Sequence, residues 1–441
     1  MRAMPELQTA LQATPTGLPG ALNGLYTSMS KTTEAVTPTS FLTSLRQAFP
    51  QFAEMARSSG GMKSLTGGYA QQDAEECWTQ MTNALKDVPG LPGPSGSGPA
   101  ASKKFIEQYM SGEMRRELKC DEAPEEPPSV TVEKVLKVEC NIGPTTNYMH
   151  SGIMDALDGK LEKHSSSLGR DAVYTTHSRL ARLPSYLTVH MVRFHWKRDI
   201  LKKTKIMRKV KFPSEFDAVD IVTDELKEKL LPVSRKLKEF EKERAERRKV
   251  RKRTKNAKAE KDKDVEMVDA TASSSSGPSA AIPVESDEGK GKEVASVELQ
   301  DEPVYREKEA KELDALIDAD LRADVGCSVS GLYDLVGSYI LSRRPNTSKQ
   351  TNKTLPLAAI VTHKGAAADA GHYMAYVKKS VFHPVSHSSG TKGSLEDDDD
   401  DWYKFDDNKV SVFPKEKLAT LDGGGEDSSA YVLLYKTKAL A

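Results

Sequence analysis

Apolar positions along the chain change period part of the way through. From Met1 to about Val88 they recur at helical spacing. "MRAMPELQTALQA" puts Met4, Leu7 and Leu11 on one face and reads as a helix already in progress, with no N-cap ahead of it. "TPTSFLTSLRQAFPQF" places Thr37 as a cap, Pro38 in the first turn, and Phe41, Leu45 and Phe49 at helical spacing. "QQDAEECWTQMTNAL" lines up Ala74, Cys77, Trp78, Met81 and Leu85 in one stripe. Asp73, Glu75 and Glu76 lie at its N-terminal end, where the helix dipole favours anions. "GLPGPSGSGPAAS", Gly90 to Ser102, has the composition of a linker or exposed loop.

Beyond it the period becomes two. In "SVTVEKVLKVEC", Ser129 to Cys140, Val130, Val132, Leu136 and Val138 share one phase and Thr131, Glu133, Lys137 and Glu139 the other. Lys134 and Val135 break an alternation that otherwise predicts a half-exposed antiparallel strand. "YLTVHMVRFHW", Tyr186 to Trp196, has β-branched and aromatic residues on both phases and predicts a strand buried on both faces. "KIMRKVKFP", Lys205 to Pro213, reads as its neighbour. Helices first and antiparallel strands later predict an α+β fold.

Three stretches interrupt this order. "KLKEFEKERAERRKVRKRTKNAKAEKDKD", from Lys236, has almost no apolar face, and low-complexity sequence continues to Gln300; this predicts a solvated helix running into a disordered linker. Ser338 to Leu357 separates "YDLVG" from "AAIVTHKG", and Phe382 to Asp401 ends in an acidic run that stays in solvent.

Composition fits a chain that is not packed throughout: 37% hydrophobic residues with 29 glycines is near the usual apolar share, and 29% charged residues is slightly above the norm. Lys+Arg and Asp+Glu are both 64, which argues against a wholesale nucleic-acid or membrane binder. The basic run Arg247 to Lys255 reads as a solvated charge run, with a nucleic-acid or nuclear-localisation patch as the unfavoured alternative. The four cysteines, Cys77, Cys120, Cys140 and Cys327, form neither a CxxC arrangement nor a dense disulfide framework. A reducing cytosol or nucleus is expected, and no apolar run approaches the ~18 residues of a membrane span.

The candidate chemistry lies late in the chain. "AGHYMAYVKKS", Ala370 to Ser380, delivers His372 on a strand, and "DWYKFDDNKVSVF", Asp401 to Phe413, brings Asp406 and Asp407 on another. The pair suits facing positions on a hairpin whose loop has grown. A carboxylate beside a histidine fixes its tautomer and stabilises the imidazolium. Read from the residues alone, a packed or surface histidine and ordinary turn chemistry at "FDD" remain open.

Together with "AYVLLYK", Ala430 to Lys436, these two segments resemble the histidine box of the ubiquitin-specific proteases, the papain-like cysteine deubiquitinases. "GYAQQDAEECW", Gly68 to Trp78, resembles that family's QQDAxE box, and "RLPSYLTVHMVRF", Arg182 to Phe194, its LPxxLxxxxxRF strand. "KVKFP" and "GLYDLVG", Gly331 to Gly337, match further blocks in order. "IEQYMSGEMRRELKC" and "LDGGGEDSSAYVLLY" are similar to the proteasome-associated branch. The resemblance implies a thumb, palm and fingers, with residues 1–88 as a partial thumb, 89–235 as fingers and palm strands, 236–310 as an insertion, and 311–441 as palm, interrupted at 338–357 and 382–401. It implies ubiquitin, ubiquitinated proteins and, for this branch, the proteasome as partners, and no cofactor. His372 matches the general base and Asp406 the residue that orients it. Gly371 and Tyr373 are carried over as substrate-binding; Asp73 falls near the channel for ubiquitin's basic tail, or simply caps its helix. "KGAAADA", Lys364 to Ala370, takes the place of a mobile loop over that tail.

Two departures matter. The family's zinc ribbon of two CxxC pairs is reduced to Cys120 and Cys140, so no structural zinc is expected. The nucleophile's GLxNxGNTCYMN box is also missing, and "MRAMPELQTAL" resembles the family sequence immediately downstream of that box. The chain is therefore expected to start just downstream of the catalytic cysteine, with an incomplete thumb, and to be inactive as given. A non-catalytic ubiquitin-binding protein is the alternative.

Overall fold

The computed structural model describes residues 1–55, 69–91, 103–199, 201–233, 354–367, 370–382 and 401–436, with scattered positions between 235 and 316. Most of Gly90 to Ser102, the low-complexity sequence up to Gln300, the "GLYDLVG" block with Cys327, and most of both later interruptions lie outside the described residues. The fold is α+β, as the change of period predicts.

Five helices come first: α1 (Pro5–Leu11), α2 (Gly17–Lys31), α3 (Thr39–Ala48), α4 (Ala74–Ala84) and α5 (Phe105–Tyr109). Their apolar stripes converge in one core, where Met4, Leu7, Leu11, Leu85 and Phe105 are almost wholly out of water. Met4 is the extended N-cap residue of α1 and Pro5 occupies its first turn, where a missing N–H costs nothing. That helix thus begins at Pro5 instead of being under way at Met1. Pro38, one residue later than the pattern predicts, stands at the N-cap of α3.

Among the described residues two sheets complete the architecture. The four-stranded sheet runs β2 (Ser129–Val135), β1 (Gly112–Cys120), β5 (Arg170–Arg182), β4 (Asp158–Ser165), all antiparallel. The long sheet runs β13 (Lys409–Phe413), β12 (Trp402–Asp406), β11 (Ala370–Lys378), β10 (Thr354–Ala367), β14 (Ser429–Lys436), β6 (Tyr186–Val192), β3 (Val138–Asn141). A hairpin, β7 (Phe194–Lys197) and β8 (Lys202–Lys205), and the short β9 (Glu215–Asp217) attach at β10. Helix α6 (Met149–Leu157) packs Met149 and Ile153 into the main core.

Several predicted strands are redrawn. Ser129 to Cys140 is two strands in two sheets, divided where the alternation breaks. β2 is an edge strand with Val130 and Val132 exposed at 46% and 63%, whereas β3 buries Val138 and Cys140 and pairs parallel to β6. Tyr186 to Trp196 also divides: β6 is buried on both faces, but beyond Arg193 the chain leaves as the β7–β8 hairpin, whose Trp196 is 56% exposed. Residues 206–213 are extended but join no ladder, and are tied down singly: Ile206 N–H donates to Arg193 (2.7 Å), Val210 N–H to Asp422 (2.9 Å) and Lys211 N–H to Asn147 (2.9 Å). An extended segment alternates like a strand whether or not it has a partner.

The side chain at the β6–β7 junction explains the corner. Arg193 is fully buried and donates to the carbonyls of Ala430 (2.7 Å), Arg208 (2.9 Å) and Asp422 (2.9 Å), fastening three separated segments. Burial lowers its pKa to about 10, still well above neutrality.

Cys120 and Cys140, both assigned to the fingers from sequence, lie in separate cores: Cys120 beside Ala172 and Tyr174 in the four-stranded sheet, Cys140 in the main core. Beyond Cys120 three carboxylates hold the sheet's tip. Asp121 accepts from Lys160 (2.8 Å) and Thr175 (2.6 Å), Glu122 from the Val173 amide (3.0 Å), and Glu126 from Ser167 (2.7 Å), Ser165 (3.0 Å) and Tyr174 (3.1 Å). These donors keep all three carboxyls below their ordinary range.

The predicted solvated helix is corrected as well. Helical positions between 235 and 250 bury Phe240 in the main core, and Arg244 and Arg247 converge on buried Glu309 from beyond the low-complexity sequence. Arg247 also lies over the Tyr305 ring at 4.5 Å. It is therefore committed inside the protein, which removes it from the candidate nucleic-acid patch; 251–255 lie outside the described residues. Among the described residues no helix is long and apolar enough to cross a membrane.

Two outcomes are expected. Arg193→Met strands the buried carbonyls of Ala430 and Asp422 and the half-buried one of Arg208, at about 1–3 kcal/mol for each buried group, so urea denaturation should show a loss of about 3 kcal/mol or more. At the tip, carboxyls that titrate below their unfolded values contribute fully above about pH 4.5 and progressively less as pH falls toward their folded values. Amide-exchange protection of residues 172–175 should therefore drop below about pH 4, and Glu126→Gln should reproduce part of that drop at neutral pH.

Candidate functional site

β12 and β13 are joined through Asp407 and Asn408, and Asp407 adopts a left-handed φ of 52°, a conformation that Asp and Asn tolerate in two-residue hairpin turns. The turn makes Asp406 the last residue of β12. Antiparallel pairing of β12 with β11 then sets it beside His372. His372 Nε2 lies 2.6 Å from Asp406 Oδ1, and Lys404 Nζ donates to Asp406 Oδ2 at 2.7 Å. Lys404 first, and His372 second, hold the Asp406 carboxyl down to about 2, so it is ionised at any working pH. The side chains of His372 and Asp406 are 39% and 33% exposed, which leaves the imidazole reachable from solvent. An ionised carboxylate only accepts, so Nε2 carries a proton toward it and Nδ1 is the ring nitrogen that faces away from this contact.

The neighbours of His372 reach toward α4. Gly371 donates its N–H to Gln71 Oε1 at 3.1 Å, and a Cβ at Gly371 would stand 2.3 Å from His363 Nε2 and 2.5 Å from the Lys364 carbonyl. Only glycine lets the strand pass there. Tyr373 stacks edge-on to His363 at 4.9 Å, and its buried hydroxyl has no hydrogen-bond partner among the described residues. Asp73 caps α4, accepting from the Glu75 amide at 2.8 Å, and both its oxygens also take the Tyr431 hydroxyl at 2.8 Å. Asp73, Gly371 and Tyr373 thus meet at a seam between α4 and the long sheet, with His372 beside them on β11 and Asp406 next to it on β12.

Sequence reasoning missed the rings that line the seam. Tyr431 on β14 meets His190 on β6 at 5.2 Å and Phe194 on β7 at 5.4 Å, and Phe194 meets His363 on β10 at 5.1 Å. The ring nitrogens of His190 and His363 are buried without a hydrogen-bond partner among the described residues. Burial lowers both, His363 to about 4 with Lys205 adding to the effect, so His363 is neutral at neutral pH. Lys205 lies behind, donating to the carbonyls of His363 (2.9 Å) and Asp427 (3.2 Å), and burial pushes it down to about 8. A histidine among inward-facing apolar residues, as in "TVHMV" and "IVTHKG", was the available signal.

No described thiol joins this group. Cys77 packs against the helical core, and burial, with Glu76 beside it, raises its pKa; burial pushes Cys140 up to about 12; Cys120 is buried in the other sheet. Of the loop Lys364 to Ala370, the described positions lie within β10 and β11: Lys364 pairs with His372 and Ala367 with Ala370 across an irregularity in register, and Gly365 N–H donates to Glu426 at 2.7 Å.

Comparison with known proteins bears on this geometry. Residues 3–435 match the family model described as ubiquitin carboxyl-terminal hydrolase. The chain is 37% identical over 444 residues to ubiquitin carboxyl-terminal hydrolase 6 of Schizosaccharomyces pombe, covering 100% of this chain and 75% of that protein. It is 31% identical over 421 residues to ubiquitin carboxyl-terminal hydrolase 7 of Arabidopsis thaliana, covering 96% and 68%. With ubiquitin carboxyl-terminal hydrolase 14 of Caenorhabditis elegans it shares 25% over 409 residues, covering 92% and 60%. A match across nearly the whole chain, on an α+β fold that joins helices to antiparallel sheets, places this protein in the ubiquitin carboxyl-terminal hydrolase family of cysteine-type deubiquitinases, with their papain-like fold.

Proposed function

We propose that His372 is the general base and acid, and Asp406 its orienting residue, of a thiol-dependent deubiquitination site whose nucleophile is none of the four cysteines in residues 1–441. The observation that carries this reading is the 2.6 Å contact between His372 Nε2 and an ionised Asp406. A thiol brought to Nδ1 would pass its proton to the ring, and the thiolate would attack the carbonyl of ubiquitin's terminal glycine. The imidazolium then returns the proton to the departing lysine amine. Water, deprotonated by the same nitrogen, cleaves the thioester and frees the ubiquitin carboxylate and the thiol.

In this reading the seam receives the ubiquitin tail, extended between Asp73 on one side and Gly371 and Tyr373 on the other. Asp73 meets the tail's positive charge, and an opening seam would offer the unpartnered nitrogens of His190 and His363 to a peptide backbone. We assign residues 1–88 to the thumb, 89–235 to fingers and palm, 236–310 to the insertion and 311–441 to the remaining palm. The similarity of "IEQYMSGEMRRELKC" and "LDGGGEDSSAYVLLY" to the proteasome-associated branch supports ubiquitinated proteins at the proteasome as the setting, in cytoplasm or nucleus.

The raised thiols of Cys77 and Cys140 favour a second reading for the 441-residue chain by itself, binding of ubiquitin without turnover. Incubated with a ubiquitin bearing a C-terminal electrophile, this chain should show no adduct by intact mass; an adduct would place the nucleophile on one of its own cysteines. Asp73→Asn keeps the helix cap, since Asn caps as well as Asp, but removes the charge. It should weaken binding of fluorescent ubiquitin by about three- to tenfold and flatten its salt dependence at little cost in Tm. Unchanged affinity would return Asp73 to capping alone.

A further inference from the structure

An aspartate that ends a strand at a left-handed turn, and is one-third exposed, has little to hold its carboxylate in one orientation. The terminal torsion of Asp is broad. One oxygen of Asp406 faces His372; the other is taken by Lys404, two residues earlier and so on the same face of β12. The Lys404 side chain is 27% exposed and crosses to Asp406 from between its register partners Tyr376 on β11 and Ser411 on β13.

We propose that Lys404 is a positioning residue for the candidate base: by pinning Oδ2 of Asp406 it keeps Oδ1 turned toward Nε2 of His372, which fixes the tautomer that leaves Nδ1 free. The other charged groups around the pair do not duplicate this contact. Asp407 brings a carboxylate oxygen within 4.8 Å of the His372 and Asp406 donor atoms, and so adds negative charge. Lys364 lies opposite His372 in the β10 register with its side chain exposed, and Lys409 lies opposite Asp406 in the β13 register, also exposed. Lys404 and Asp406 shift each other reciprocally, the lysine up and the carboxyl down. An ammonium at 2.7 Å is also a strong, charge-assisted donor that a neutral side chain does not replace.

The inference rests on the reading of His372 as base, but its test needs no turnover. In the 441-residue chain labelled with 15N-histidine, the parent should show a downfield proton on His372 Nε2 that exchanges slowly with water. Lys404→Met should remove that signal or speed its exchange about tenfold or more, and the Asp406 midpoint, followed by carboxyl 13C shifts, should move up toward the ordinary carboxyl range. Lys404→Arg should restore both. If Lys404→Met does not fold, Lys404→Gln, which keeps a polar end without the charge, should show the same loss. An unchanged Nε2 proton and an unchanged Asp406 midpoint in a folded Lys404→Met or Lys404→Gln protein would overturn the inference. Absence of deubiquitinating chemistry in a thiol-bearing form would overturn the functional reading and leave this result standing.

Discussion

A guanidinium with no access to water, Arg193, fastens together the segments on which everything else in the long sheet relies. Its three acceptors come from β14, from the turn ending at Asp422, and from the extended run before Val210. Charged donors make stronger bonds than neutral ones, and a buried cation with an acceptor on each of its three nitrogens resists any rearrangement that would leave it unpaired. The packing is close enough to dictate its surroundings. Gly423, at φ 93°, could not carry a Cβ without bringing it 2.9 Å from Arg193 Nη1. Because β14 is held by Arg193 and paired with both β6 and β10, the rings of His190, His363 and Tyr431 come to lie together. The seam is thus a by-product of how one buried charge is satisfied.

What was legible in the sequence was local. Helical stripes, a strand buried on both faces and a histidine-carboxylate pair on neighbouring strands all declare themselves within a dozen residues. The readings that needed correction depended on partners far along the chain. The strand through Lys134 changes sheets because β1 and β6 compete for its two halves; residues 206–213 alternate without a ladder because their amides find scattered acceptors. The helical positions near Arg244 looked solvated because Glu309 lies beyond the low-complexity sequence. His190 and His363 were overlooked for the same reason: a histidine among apolar neighbours is the local signal, but what it meets is known only when the third dimension brings Tyr431 and Phe194 against them.

The two buried arginines on Glu309 show how an insertion can be tolerated. Replacing such an ion pair with apolar residues is often neutral for stability, whereas breaking it is costly, so its stronger effect is to specify which helical turns meet. Since loop-closure entropy rises only slowly with length, the sequence between the partners can grow with little effect on the pairing.

The hydrogen bond from the Gly371 amide to Gln71 has a consequence for any ligand that enters the seam. That amide is already engaged across the gap. An arriving carbonyl takes it by displacing an amide oxygen of equal hydrogen-bonding strength. The exchange is nearly isoenergetic, so opening the seam and filling it can be a single motion, with the Gln71 side chain leaving as the ligand backbone takes its place.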